Sequence, residues 1–499
     1  MTVAARLGWL LVCGACLAAC SRPPADIVVF AVATASTVLD PRLAGDAASE
    51  RVNALLYDRL VVLDVQGRPH AAMASWEQLA PTRYRVILDP SRAAFWDGRR
   101  QPRAEDVAAT YRTLLDRSLG SPHAGALAVI EDIEVIDDIT LDFTLSRADP
   151  GFPARLTIGI APTEHLSGGG LARAPLGSGP FRFDSWRDDG GLVLQRRRDG
   201  QRFALVPVPD PTMRVLKLLR GEAQLLQNDL PTELYDFLEK EPDIDIVQRP
   251  GTTFAYVGFN LADPVTGQDA VRRAIAHAID RGAIIRHLFG TRARSAESVL
   301  PPMHWAGADL ESLPYDPDRA RALLRSAGFG PDNPLTISYK TSTDPFRLRI
   351  AHVFQDQLAD VGIRLQIASY DWGTFFGDIK AGRFQMYSLA WVGINSPDIL
   401  RYAFHSTSLP PAGANRGRLV DPELDRLIEQ GGLADADEAA SLYRAAQARI
   451  HDSLVYVPLW YEHNVSASRG LVGYHPGHDG NYLALTQTER RHAEREISR

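Results

Sequence analysis

The sequence predicts a multi-lobed α/β protein, and three observations predict it. Between residues 334 and 391, strand-like runs alternate with helical ones, the pattern of a parallel sheet covered by helices on both faces. The 499 residues allow two to four domains at ~100–200 residues each, with ample core. Residues 166–180 (LSGGGLARAPLGSGP) are rich in glycine and small side chains and read as a boundary between such units.

Each element follows from its own pattern. Residues 27–33 (IVVFAVA) are an apolar, β-rich run and predict a buried strand. Residues 49–63 place apolar side chains at helical spacing and predict one helix. Tyr84, Val86 and Leu88 alternate as in a strand, and 104–115 return to helix with Glu105 and Asp106 in the first turn, where the dipole favours acids. A hairpin is predicted over 133–145, turning at Asp137-Asp138 with Leu141, Phe143 and Leu145 on one face. Past the glycine-rich boundary, 191–195 and 203–208 read as strands. Asp210-Pro211 supplies an N-cap and a proline at the first helical position, and Gly221 closes that helix. Residues 254–261 (FAYVGFNL) read as a strand, and 268–289 as one long helix through Val271, Ile275, Ala278, Ile279 and Ile285. Then come strand 335–340, helix 346–361, strand 363–369, helix 372–381 and strand 384–391. Helices at 422–432 and 437–451 precede strand 455–460, and the charged tail 488–499 is expected to fray.

Composition excludes several functions. The chain is 45% hydrophobic and 23% charged with a formal net charge of −7, a mild acidity that argues against nucleic-acid binding. Its longest basic run, Arg196-Arg197-Arg198, is too short for a polyanion-binding stripe. All three cysteines, Cys13, Cys16 and Cys20, fall in the first 20 residues. A disulfide scaffold, a Cys-ligated zinc site, an iron–sulfur cluster and a cysteine nucleophile in the body are thereby excluded. Arg6 followed by the apolar stretch 7–19 has the make-up of a signal peptide, residues 1–19. Leu17-Ala18-Ala19-Cys20 resembles the bacterial lipobox, in which Cys20 is lipid-modified and becomes the first mature residue. Ser21-Arg22-Pro23-Pro24 reads as a polar linker, and no later stretch approaches a second span. The rest is expected to be exported and held by this lipid on the periplasmic side of the envelope.

Catalytic patterns are missing. There is no G-x-x-x-x-G-K-[ST], and Gly168-Gly169-Gly170 lacks the spacing of a dinucleotide fingerprint. Gly177-Ser178-Gly179 does not meet G-x-S-x-G and reads as a tight turn. His475-Pro476-Gly477-His478-Asp479 reads as a surface turn with two solvated histidines, since no third ligand is evident. No reaction, catalytic residue, metal or cofactor is predicted.

Binding chemistry is concentrated instead. Ser369-Tyr370-Asp371-Trp372-Gly373-Thr374-Phe375-Phe376 and Trp391-Val392-Gly393-Ile394-Asn395-Ser396-Pro397-Asp398 follow consecutive predicted strands. Ligands bind outside the carboxyl ends of strands in open α/β sheets, so these segments suggest a cleft wall. The alternative is that Trp372 and Trp391 are core anchors and Gly393 a turn residue.

At this point the sequence resembles a known family: the bacterial solute-binding proteins of ABC importers, family 5, the oligopeptide, dipeptide and nickel-binding class. The resemblance rests on Leu39-Asp40-Pro41, Pro69…Ala74-Ser75-Trp76-Glu77, Phe95-Trp96-Asp97-Gly98 and Ala104-Glu105-Asp106-Val107. Gly177-Ser178-Gly179-Pro180-Phe181, Val257-Gly258-Phe259-Asn260, Val271-Arg272-Arg273-Ala274-Ile275 and Ala278-Ile279-Asp280-Arg281 continue it in order over nearly the whole chain. It implies a periplasmic-binding-protein type II-like fold, with two main lobes around a cleft and an inserted extra lobe. Lobe I would take 20–43, 166–255 and, with the charged tail, 463–499; lobe II would be inserted at 44–165, and lobe III would run over 256–462. Such proteins close on solute by a hinge motion, then dock on a permease driven by a separate ATPase. Trp391 matches the tryptophan that opens the family's ligand-contacting loop. The aspartate that pairs with a peptide's α-amino group in peptide-binding members is Ile394 here, so that charge-assisted bond is lost. Asp398 lies further on, after Pro397. Arg416, in the motif Pro410-Pro411-x-Gly413-Ala414-Asn415-Arg416-Gly417, could meet a carboxylate or phosphate, or form a surface ion pair.

The expected ligand-binding set is Trp391, Gly393, Ile394, Asn395, Tyr370, Trp372, Tyr256 and Arg416. The expected function is that of a monomeric, lipid-anchored protein that captures peptides or peptide-like solutes for a permease. Two other readings stand beside it: a non-peptide solute such as an oligosaccharide or metal chelate, or an envelope lipoprotein with a structural or chaperone function.

Overall fold

A computed structural model describes residues 27–167 and 169–491; the expected signal peptide, Cys20 and residues 492–499 lie outside the described residues. One mixed sheet of 11 strands forms the frame. From edge to edge its path runs Ile363–Tyr370, Leu335–Ser342, Met386–Trp391, Ile244–Phe259, Tyr456–Arg469, Leu225–Gln227, Ile27–Val32, Arg202–Pro207, Leu192–Arg196 and Phe181–Trp186. Ala293–Ser295 pairs off this path with Tyr456–Arg469.

The parallel arrangement predicted for 334–391 holds there: Leu335–Ser342 runs parallel to both of its neighbours. It does not extend across the sheet. Ile244–Phe259 is antiparallel to Met386–Trp391 and to Tyr456–Arg469, which is antiparallel to Leu225–Gln227. Ile27–Val32 is parallel to both partners, and the last two strands return antiparallel. Direction is set by how the connections run, which local apolar patterning does not record.

Successive side chains leave a strand on opposite faces, and the cores obey this. Phe254 and Tyr256 join Phe375, Tyr387, Phe404 and Tyr456 in one core, while Ala255, Val257 and Phe259 join Ile275, Ile337, Phe354 and Trp460 in another. In the other half, Val28, Phe30 and Val32 enter one core and Val29 and Ala31 a second. A further core lies among residues 60–160. There Ala74–Ala80, Arg83–Leu88, Thr140–Leu145 and Ile130–Val135 form an antiparallel sheet against the helix Ala104–Leu115.

Local chemistry explains several boundaries. The predicted hairpin turns where the Asp137 carboxylate accepts the N–H groups of Ile139 and Thr140 at 2.9 and 2.8 Å. Asp210 caps Pro211–Leu219 by accepting the Met213 N–H at 2.7 Å. Three expectations are corrected. The helix read over 49–63 is Ala47–Leu56, because Tyr57 turns extended and donates its hydroxyl to the Leu39 carbonyl at 3.0 Å, after which Val61–Leu63 is a strand. The helix read over 268–289 breaks. Asp269–Ala278 stops, Asp280 accepts the Ala283 N–H at 2.7 Å to start Arg281–Ile284, and a π-helical turn Ile285–Phe289 follows. The tail does not fray from 488: Thr488 is buried, Glu489–Arg490 pairs with Leu471–Val472, and Arg490 donates to the Ile27 carbonyl at 2.6 Å.

Ile244–Phe259 (16 residues) and Tyr456–Arg469 (14 residues) are long enough to belong to both halves of the sheet. Their pairing slips between Arg249 and Thr253 and again between Ala255 and Tyr256.

Candidate functional site

A cavity of about 610 Å³ opens between residues 41–63 with 479–483, residues 123–159, and the loop 392–398. That volume lies within the ~300–1,000 Å³ usual for small-ligand sites. Its walls carry both signs of charge, including Glu50, Arg51, Arg59, Arg155, Asp398 and Asp479.

The loop 392–398 continues directly from the strand ending at Trp391. Gly393 has φ +63°, and a Cβ there would sit 3.1 Å from the Asp479 carbonyl oxygen, so glycine lets the loop approach the 479 segment closely. Asp398 is tied across the cavity: Arg155 Nη1 donates to it at 2.5 Å, and Arg155 Nε donates to Asp149 at 2.9 Å. Burial pushes the Asp149 carboxyl up, with Arg155 opposing. Asp398 is therefore engaged and is not a free substitute for the acid missing at Ile394.

A second bridge lies alongside. His304 Nδ1 accepts the Ala306 N–H at 3.1 Å, which leaves the proton on Nε2 to be donated to the Asn395 carbonyl at 3.3 Å. The ring lies where a Cβ on Gly67 would meet it at 2.1 Å, and the Trp305 N–H donates to Gln66 O at 3.0 Å. Burial pulls the His304 pKa down to about 4.

The aromatic residues form something else. Trp372 stacks on Phe376 at 5.3 Å and 8°. The Arg416 guanidinium lies 5.1 Å over Phe376 and 4.6 Å over Trp391. Trp391 faces Tyr256 at 6.4 Å and 19°, and Tyr256 stacks on Tyr456 at 3.7 Å. The result is a ladder from an exposed tryptophan (Trp372, 58%) to fully buried tyrosines, with a guanidinium as one rung. Arg416 is 8% exposed, donates from Nη1 to the Tyr256 hydroxyl at 3.1 Å, and pairs with no carboxylate among the described residues. Neither a surface ion pair nor an open anion site describes it. Its Nε and the Trp391 indole Nε1 are buried without partners among the described residues.

Of the expected set, Gly393 and Asn395 line the cavity. Trp391, Tyr256, Trp372 and Arg416 come together in the ladder and are not among the residues that line the cavity. Ile394 turns inward and packs in the core with Leu400 and Phe404 at 7% exposure. Tyr370 is exposed beside Lys340, whose Nζ lies 5.4 Å from its ring centre. Sequence reading missed Glu50, Arg51, Arg59, Arg155 and Asp479, because charged residues scattered over helix, strand and loop share no local motif. The 475–479 turn offered a signal. His475 is exposed, but His478 is only half exposed and its carbonyl accepts from Thr252 N and Asn464 Nδ2, so the turn is fastened to the two long strands rather than free in solvent. No group of three or more His, Cys, Asp or Glu among the described residues is placed to hold a metal.

Known proteins are similar to this chain in sequence and fold. The chain is 30% identical over 410 residues to di/tripeptide-binding protein 2 of Pseudomonas aeruginosa, covering 75% of this chain and 77% of that protein. It is 28% identical over 489 residues to a glutathione-binding protein of Escherichia coli, covering 92% and 94%. A periplasmic binding protein from Helicobacter pylori, solved with a bound peptide, superposes with a TM-score of 0.80 at 24% identity, over 93% of this chain and 98% of that one. Residues 69–409 match the family defined as bacterial extracellular solute-binding proteins, family 5, in its middle region. By that match the chain belongs to the family 5 extracellular solute-binding proteins.

Proposed function

We propose that this protein captures peptides or peptide-like solutes in the cavity between residues 41–63, 123–159 and 392–398, and delivers them to the membrane permease of an ABC importer. One observation carries the reading: a cavity of about 610 Å³ whose wall holds guanidinium and carboxylate groups together, as a solute with both charges requires. The names of the relatives support it, since one is a di/tripeptide-binding protein and another binds glutathione. The lobes expected from sequence become the moving parts of this reading. Cys20 carries the lipid that holds the protein on the periplasmic side of the envelope, and it acts as a monomer.

Native mass spectrometry of the full chain, purified gently from membranes, tests the reading. The expected result is a co-purifying series of short-peptide masses on a monomer whose N-terminal Cys20 carries the added mass of a diacylglyceryl group. Glycan or metal-chelate masses in their place would overturn the peptide assignment.

A further inference from the structure

Arg59 is unusual among the cavity's charges. Arg155 is held by Asp149 and Asp398, and Arg51 lies over the Tyr482 ring. Arg59 has no carboxylate within salt-bridge distance and no side-chain hydrogen bond among the described residues, and its Nε is buried without a partner. Its backbone is fixed: it bridges Gly159, and its carbonyl accepts the Met73 N–H at 3.1 Å. A guanidinium carried on a fixed backbone, half-buried and unpaired among the described residues, meets the requirement for receiving an anion. The opposing charges felt by Arg59 are Glu50 and Asp479, both on the same cavity wall. Among the described residues Glu50 makes no ion pair, and the Asp479 carboxylate accepts only from Asn481. Asp479 is also the residue that the loop approaches most closely at Gly393.

We propose that Arg59 receives the solute's carboxylate and that Glu50 with Asp479 receives its ammonium group. The pocket would thus select zwitterionic, peptide-like solutes with both ends free, using acids from the 46–56 and 475–481 segments. This inference rests on the peptide reading above and adds the direction in which the solute lies.

The test is isothermal titration calorimetry of the full chain with trialanine, N-acetyl-trialanine and trialanine amide. Trialanine is expected to bind, with each capped form weaker by about tenfold or more, as for the loss of one charge-assisted contact. Arg59→Met should abolish the preference for acid over amide while keeping the penalty for N-acetylation. Glu50→Gln with Asp479→Asn should do the reverse. The wild-type ratios need no variant, so a misfolded mutant does not shield the proposal. Equal binding of trialanine and its amide by the wild type, or a full acid preference in folded Arg59→Met, would overturn it while leaving the peptide reading intact. Failure of the wild type to bind any of the three probes would overturn both.

Discussion

Arg416 is a residue that the sequence singles out and whose surroundings only the fold supplies. Its motif marks it as special, and the structure places it between two aromatic planes with its charge matched by no carboxylate among the described residues. Planarity is what the position uses: a guanidinium can lie against Phe376 and Trp391 together while Nη1 reaches Tyr256. Arg416→Lys keeps the charge but loses both stacks and the fork, and should lower unfolding stability by about 1–3 kcal/mol. Chemical denaturation with the midpoint followed by tryptophan fluorescence checks it, and an unchanged midpoint would show that charge alone matters there. Trp391 was legible for a good reason, since an aromatic at a strand end does border a cleft loop. Its side chain, however, faces the ladder. Arg59 was illegible because nothing near it in sequence marks it; its meaning comes from Gly159, Glu50 and Asp479, which only the fold assembles.

Elements were legible where one pattern ran unbroken. The strand–helix series from 335 to 391 and the Asp210-Pro211 start are present as read. The long strand Ile244–Phe259 was seen only from 254 onward, because Pro250 and Gly251 interrupt the pattern where the pairing with Tyr456–Arg469 slips. Helix 268–289 was over-read because an aspartate inside an apolar rhythm, Asp280, acts as a cap and not as a surface residue. The 301–307 loop, which carries His304, makes its own prediction. The His304 pKa is about 4 against an ordinary 6.5, so between these values the unfolded chain binds a proton that the folded one refuses. Stability from this residue is complete above pH 6.5 and is lost as pH falls toward 4. Relative to pH 7, about 2 kcal/mol should be gone at pH 5. His304→Gln should flatten that part of the stability–pH curve; an identical slope in the variant would refute the assignment.

At the scale of the whole molecule, the ladder, the cavity and the sheet meet at the loop 392–398. Strand direction, and hence the mixed sheet, was beyond local pattern, and so were the contacts that reach across the cavity. Arg155–Asp398 and the Gly67 turn against His304 both join residues 60–160 to the opposite wall. Asp398 is partly exposed, so its ion pair is screened, and Asp398→Asn should cost about 1 kcal/mol of closure. The expected signs are a larger radius of gyration for the empty protein by solution scattering and several-fold faster solute release in stopped-flow. No change in either would remove the pair as a closing contact.

The path of the sheet also governs how the chain must assemble. Ile27–Val32 pairs with strands near 205 and 226, and Leu225–Gln227 finds its other neighbour only at 466–468. Contacts of such separation fold slowly, because long loops must close before any pairing stabilises them. The strand Ile27–Val32 therefore waits in an unfinished sheet whose edge stays open until residues 466–468 have been delivered. For an exported chain this favours crossing the membrane unfolded and completing the sheet only on the far side.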